Sequence, residues 1–118
     1  MKTKTITLPL PPMALSPNAR SHWAVKHKAA KSYRQAALLM ATTHCDLYRG
    51  VEFESYTLHF FFGDKRRRDK DNYTARMKSA LDGISDAIGQ DDSEWNFDGV
   101  RFEIDKSNPR VEVRAVLK

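Results

Sequence analysis

Leu58-His59-Phe60-Phe61-Phe62-Gly63-Asp64-Lys65-Arg66-Arg67-Arg68-Asp69-Lys70-Asp71-Asn72 is the stretch on which the fold turns. Its first part closes a strand pattern over residues 51–62. Glu54, Tyr56, Leu58, Phe60 and Phe62 fall on one face, and Phe53, Ser55, Thr57, His59 and Phe61 on the other. Three consecutive phenylalanines imply that both faces become buried near the strand's end, which places it centrally in a sheet. The second part is a polar loop over 63–70 that opens a helix expected from Asp71 to Ile88. There Tyr73, Met77, Leu81, Ile84 and Ile88 recur at helical steps, and Gly89 supplies the stop.

Working outward, residues 3–8 are rich in β-branched side chains and read as a strand, ended by Pro9, Pro11 and Pro12. Ser21 is positioned to cap a helix from about His22 to Cys45, with Trp23, Ala30, Tyr33, Ala37, Met40 and Ala41 on its buried side. Val100–Asp105 and Val111–Leu117 alternate as strands around Lys106-Ser107-Asn108-Pro109, the pattern of a hairpin. The order β-α-β-α-β-β predicts an α/β (α+β) two-layer fold, two helices on a mixed sheet, in a single domain over residues 1–118.

The chain has 118 residues and a net charge of 20 − 15 = +5, with a pI near 9.5. A spanning helix needs ~20 apolar residues and none is present, so no membrane partner is expected. Lys2 and Lys4 precede a proline-broken segment rather than a signal-peptide core. Cys45 has no possible disulfide partner within the chain, and a reducing, cytoplasmic location is expected. His22, His27, His44 and His59 lack zinc-site spacing. Cys45 and the two tryptophans, Trp23 and Trp95, read first as packing residues; Trp95 could also touch DNA or a second subunit.

A basic domain suits an anionic partner, nucleic acid above all. Lys65, Arg66, Arg67, Arg68 and Lys70 surround Asp69 and Asp71, two carboxylates one residue apart. Hard divalent cations take oxygen ligands, often one or two carboxylates plus water, and arginines can bring a phosphodiester to such a cation. The same residues also read as a plain helix start, with Asp71 as its cap and the arginines solvated. Lys78, seven positions after Asp71, returns to nearly the same face at ~100° per residue and could stabilise phosphate charge; alternatively it pairs with Asp82 at i+4. Asp91 and Asp92 follow the helix. Asp92 would reach Asp71 of its own chain only if the loop folded back; a site shared between subunits is the alternative. Arg20, Lys26, Lys28, Lys31 and Arg34 give the first helix a basic start, either a solvated face or a phosphate surface.

The run Arg66-Arg67-Arg68-Asp69-Lys70-Asp71-Asn72, then Leu81-Asp82-Gly83 and Asp91-Asp92, resembles the RusA-type Holliday junction resolvases, often carried by phages and prophages. Ile6-Thr7-Leu8-Pro9-Leu10-Pro11-Pro12 and Asn18 resemble that family's N-terminal strand and turn. The resemblance implies a homodimeric endodeoxyribonuclease of recombination and repair. Such an enzyme uses Mg²⁺ (or Mn²⁺) and nicks a four-way DNA junction symmetrically. It implies catalytic and metal-binding roles for Asp69, Asp71 and Asp92, with Asp91 as a neighbour able to substitute. The family's lysine position falls on Ala75, leaving Arg76 or Lys78 as the nearby cation, of which Lys78 is the candidate. The DNA-contacting set would comprise Lys65, Arg66, Arg67, Arg68, Lys70, Asn72, Arg76, Asn18, Arg20 and Lys26. A non-catalytic branched-DNA-binding protein and an interaction module with merely capping acids are the rival classes.

Overall fold

The computed structural model describes residues 2–118. The elements are β1 (Thr3–Leu8), α1 (Trp23–Leu39), β2 (Phe53–Phe62), α2 (Lys70–Ala75), α3 (Lys78–Ile88), β3 (Asn96–Ile104) and β4 (Arg110–Leu117). The helices cover one face of a mixed four-stranded sheet of order β1-β4-β2-β3. This is the expected α+β architecture with β2 in the interior. The expected hairpin is absent: β3 runs parallel to β2 on one side, and β4 pairs antiparallel with β2 on the other. Parallel neighbours need a crossover, and α2 and α3 supply it between β2 and β3. The chain then turns at Lys106–Pro109 and inserts β4 between β1 and β2.

The core lies between sheet and helices. Leu58, Phe60 and Phe62 from β2, Val111 and Val113 from β4, and Ile6 and Leu8 from β1 face Tyr33, Ala37 and Ala41 and the α3 side chains Leu81, Ile84 and Ile88. Phe53 joins this core although the alternation places it on the opposite face. β2 carries an extra residue at Glu54 relative to β4, and this bulge reverses the phase of the strand's first residue. Among the described residues no helix covers the outer face; there Phe61 is half-buried beneath the Arg110 guanidinium, 3.8 Å from its ring centre.

α1 begins one residue later than expected, because His22 Nδ1 rather than Ser21 accepts the Ala24 N–H. Its last turn, Met40–His44, widens to a π-helix in which the Thr42 and Thr43 hydroxyls donate to backbone carbonyls one turn back. Trp23 is not in the core but 73% exposed. α1 and α3 meet backbone to backbone at Gly83, where a Cβ would lie 2.1 Å from the Arg34 carbonyl oxygen. A two-pronged Arg34–Asp86 pair closes the outside of that contact at 2.7 and 2.8 Å. The single helix expected over 71–88 is interrupted at Arg76–Met77. Met77 keeps its place in the buried stripe, but the axis restarts at Lys78.

Candidate active site

β2 delivers the chain to the basic loop, and Asp64 organises it. Its carboxylate accepts the Arg66 N–H at 3.0 Å and an Arg68 Nη2 hydrogen at 2.9 Å. The Arg66 backbone bond, then Arg68, holds this carboxyl below the usual range. Arg68 also lies over the Phe62 ring at 3.9 Å, with its side chain only 12% exposed. Arg68 is therefore packed against the strand end rather than free for phosphate, and Arg66 is partly neutralised. Lys65 and Arg67 stay exposed without an ion pair among the described residues.

α2 starts at Lys70, and its cap is Asp69 rather than Asp71. One Asp69 oxygen accepts the N–H groups of Asp71 at 2.8 Å and Asn72 at 3.3 Å. That bond set is the ordinary helix-cap role, but it uses a single oxygen and leaves the other without a protein donor. Asp71 sits in the first helical turn, exposed, and its carboxylate has no protein partner among the described residues. Lys70 leans toward Phe102 on β3, 5.8 Å from the ring centre. Asn72 is a connector: its Nδ2 donates to Ser16 Oγ at 2.8 Å, and its Oδ1 accepts Arg76 Nε at 2.9 Å.

At the far end of α3, Gly89 in the left-handed region (φ +81°) turns the chain back along the helix. Gln90, buried, pins that return. Its Oε1 accepts both the Phe53 N–H and the Trp95 Nε1–H at 2.7 Å. Trp95 is accordingly a core residue, 5% exposed and unavailable to DNA. Asp91 caps the one-turn 3₁₀ helix Asp92–Glu94 by accepting the Ser93 N–H at 2.9 Å, which lowers its pKa. Asp92 thereby reaches the start of α3, where Lys78 Nζ donates to Asp92 Oδ2 at 2.8 Å and sits 3.0 Å from Asp82 Oδ1. The Asp92 bond first, then Asp82, raises the Lys78 pKa well above that of a free lysine, so it is an ammonium throughout the neutral range.

The fold thus joins Lys78 with Asp92 and Asp82, and brings Asp91 beside them. Asp71 and Lys78 lie on two successive helices, α2 and α3, rather than on the one continuous helix expected. Among the described residues no group of three or more Asp, Glu, His or Cys side chains converges as a metal cage. Asp69, Asp71 and Asp92 are therefore not assembled into a closed triad within one chain. Asp69 is committed to its cap and Asp92 to Lys78. The donor set still suits a magnesium ion, which commonly takes one or two carboxylates and completes its shell with water and substrate phosphate. Asp71 and the free Asp69 oxygen are such donors.

Asp98 is a residue the sequence reading passed over. It precedes Gly99 (φ +124°) at a bulge where β3 carries one extra residue against Tyr56–Leu58 of β2. With Lys70 and Arg101 it lines a cleft of about 340 Å³ on the α2 side of β3. The Asp-Gly pair just before an alternating run was the available signal.

No protein-family model matches the chain. Over 95 residues, 78% of its length, the chain is 40% identical to an uncharacterized protein of Xylella fastidiosa (strain Temecula1). The chain spans 62% of that protein's length. No helix among the described residues is long and apolar enough to cross a membrane.

Proposed function

We propose that the protein is a magnesium-dependent endodeoxyribonuclease that nicks branched DNA, a four-way junction in the first instance, as a homodimer in the cytoplasm. The carrying observation is the Lys78 ammonium, held at the start of α3 between Asp92 and Asp82 and raised in pKa by both. A fixed ammonium beside carboxylates suits the stabilisation of charge on a phosphodiester. Asp71 and the free Asp69 oxygen would hold magnesium, and Asp92 would hold the Lys78 ammonium in place for the phosphate. The ion would neutralise phosphate charge and make a bound water more acidic. Lys65, Arg67 and Lys70 supply phosphate contacts that position the duplex without reading its sequence. A two-fold pair of identical sites matches the need for two related cuts.

A second reading, a branched-DNA-binding protein without hydrolysis, is favoured by one feature: Asp92 is ion-paired and Asp69 is a cap, which leaves Asp71 as the single unengaged acid of the three. Asp71→Asn separates the two. On the nuclease reading it binds a synthetic junction as tightly as wild type and no longer nicks it. Wild-type protein that binds the junction but leaves it intact with Mg²⁺ establishes the second reading instead.

A further inference from the structure

A cleft of about 520 Å³ lies between the N-terminal loop and the end of α2, and neither Lys78 nor Asp92 lines it. Its lining is chemically two-sided. Met13, Ala14 and Ala19 give an apolar wall; Asn18, Arg20 and Arg76 give a polar one, and no carboxylate lines it. Met13 is 74% exposed, an unusual position for a large apolar side chain with nothing to cover.

Arg76 is the informative residue. Its Nε donates to Asn72 Oδ1, and its guanidinium rests on the Tyr73 ring at 4.2 Å. Asn72 is in turn fixed by Ser16 Oγ, which also accepts the Asn18 N–H at 3.2 Å. A relay of three residues thus orients Arg76 before any ligand arrives, and its two terminal nitrogens have no protein acceptor among the described residues. Arg34, Arg110 and Arg114 are instead neutralised, Arg34 by Asp86, Arg110 by Asp105 and Glu112, Arg114 by Glu112. Neither Arg20 nor Arg76 has a carboxylate partner among the described residues. A held, partly buried guanidinium with a free pair of N–H groups is matched to the two oxygens of a phosphate.

We infer that this cleft is a nucleotide subsite: Arg76 and Arg20 take a phosphate, and the apolar wall takes the base or sugar of an unpaired nucleotide. The size suits one nucleotide. Assigning that nucleotide to a DNA strand rests on the nuclease reading; the anion site itself does not. Base pairs are strained or open where duplex arms meet, which is where such a nucleotide would come from.

The test is fluorescence anisotropy with a labelled oligothymidylate at low salt in EDTA, so that nicking plays no part. Replacing Arg20 and Arg76 with alanine should weaken binding about tenfold or more. Replacing Arg49 and Lys106, exposed cations outside the cleft, removes the same charge and should cost less than about threefold. Arg76 packs on Tyr73, so Ser21→Asp provides a second variant. It puts an acid into the cleft just before α1, where the fold tolerates negative charge, and should weaken binding by a similar factor. Equal losses in the two double variants, or unchanged binding by Ser21→Asp, overturn the site, as does wild-type protein that binds no oligothymidylate. Displacement by thymidine monophosphate at concentrations comparable to the oligonucleotide's own affinity overturns the strand assignment in favour of a free nucleotide. Intact, cleft-dependent binding alongside a junction that is never nicked with Mg²⁺ supports the subsite while removing the nuclease reading.

Discussion

The start of α2 and the turn after α3 are built from the same parts and hold their charge differently. Each has two aspartates. In each, one caps the next helical turn: Asp69 accepts from Asp71 and Asn72, and Asp91 accepts from Ser93. The other aspartate is exposed in the case of Asp71, whereas the Asp92 side chain is only 15% exposed. Asp92 is neutralised by Lys78, whereas Asp71 has no partner among the described residues. Asp71 makes no side-chain contact and adds only the modest favourable charge of an acid in the first turn of α2, so its larger value lies in what it binds. A carboxylate matched to a lysine sets that lysine's position and protonation.

The largest expected consequence falls on the bare acid. Asp71→Asn should lower Mg²⁺-dependent nicking by about 100-fold or more with little change in thermal stability, since no protein contact is lost. A large loss of stability would show that Asp71 is structural after all. Lys78→Met comes next. Nicking should fall by about 10²-fold, and Lys78→Arg should restore part of it because charge returns while reach and shape differ. A gain of stability with unchanged nicking would reduce the Lys78–Asp92 contact to a surface ion pair.

The caps give smaller effects of opposite kind. Asp69→Ala should cost about 1 kcal/mol of stability in urea unfolding and, with a magnesium donor lost, also lower nicking. Asp91→Ala, which caps a single 3₁₀ turn, should cost less. Finally, the Asp91 carboxyl is held below its ordinary 3.8, chiefly by the Ser93 backbone bond. Its contribution is complete above that value and is lost as the pH falls through its folded pKa. Acid titration of Asp91→Ala should therefore show a slightly shallower loss of stability below pH 4 than wild type; an identical curve removes the cap's role.

The comparison also shows what the sequence could convey. The α+β class, the interior place of β2 and the Tyr33-Ala37-Ala41 face were legible because burial imposes its period on apolar residues. The order of the last two strands was not: an alternating run looks the same whether its partner is the preceding strand or β2. The helix interruption at Arg76–Met77 was hidden because Tyr73, Met77 and Leu81 keep their spacing across it and no glycine or proline marks it. Asp69 and Asp71 are equally good caps by composition, and only the extended backbone of Asp69 (φ −92°, ψ 121°) decides between them. The Lys78–Asp92 meeting depended on Gly89 and the buried Gln90 turning the chain back, a tertiary event with no local pattern.

The central claim is that Asp71, Asp92 and Lys78 serve phosphodiester cleavage. Titrating Mg²⁺ into wild-type protein on a synthetic four-way junction tests it most directly. The account predicts paired nicks in opposing strands that rise with the ion and vanish on chelation. A junction that is bound yet uncut at every magnesium concentration contradicts it.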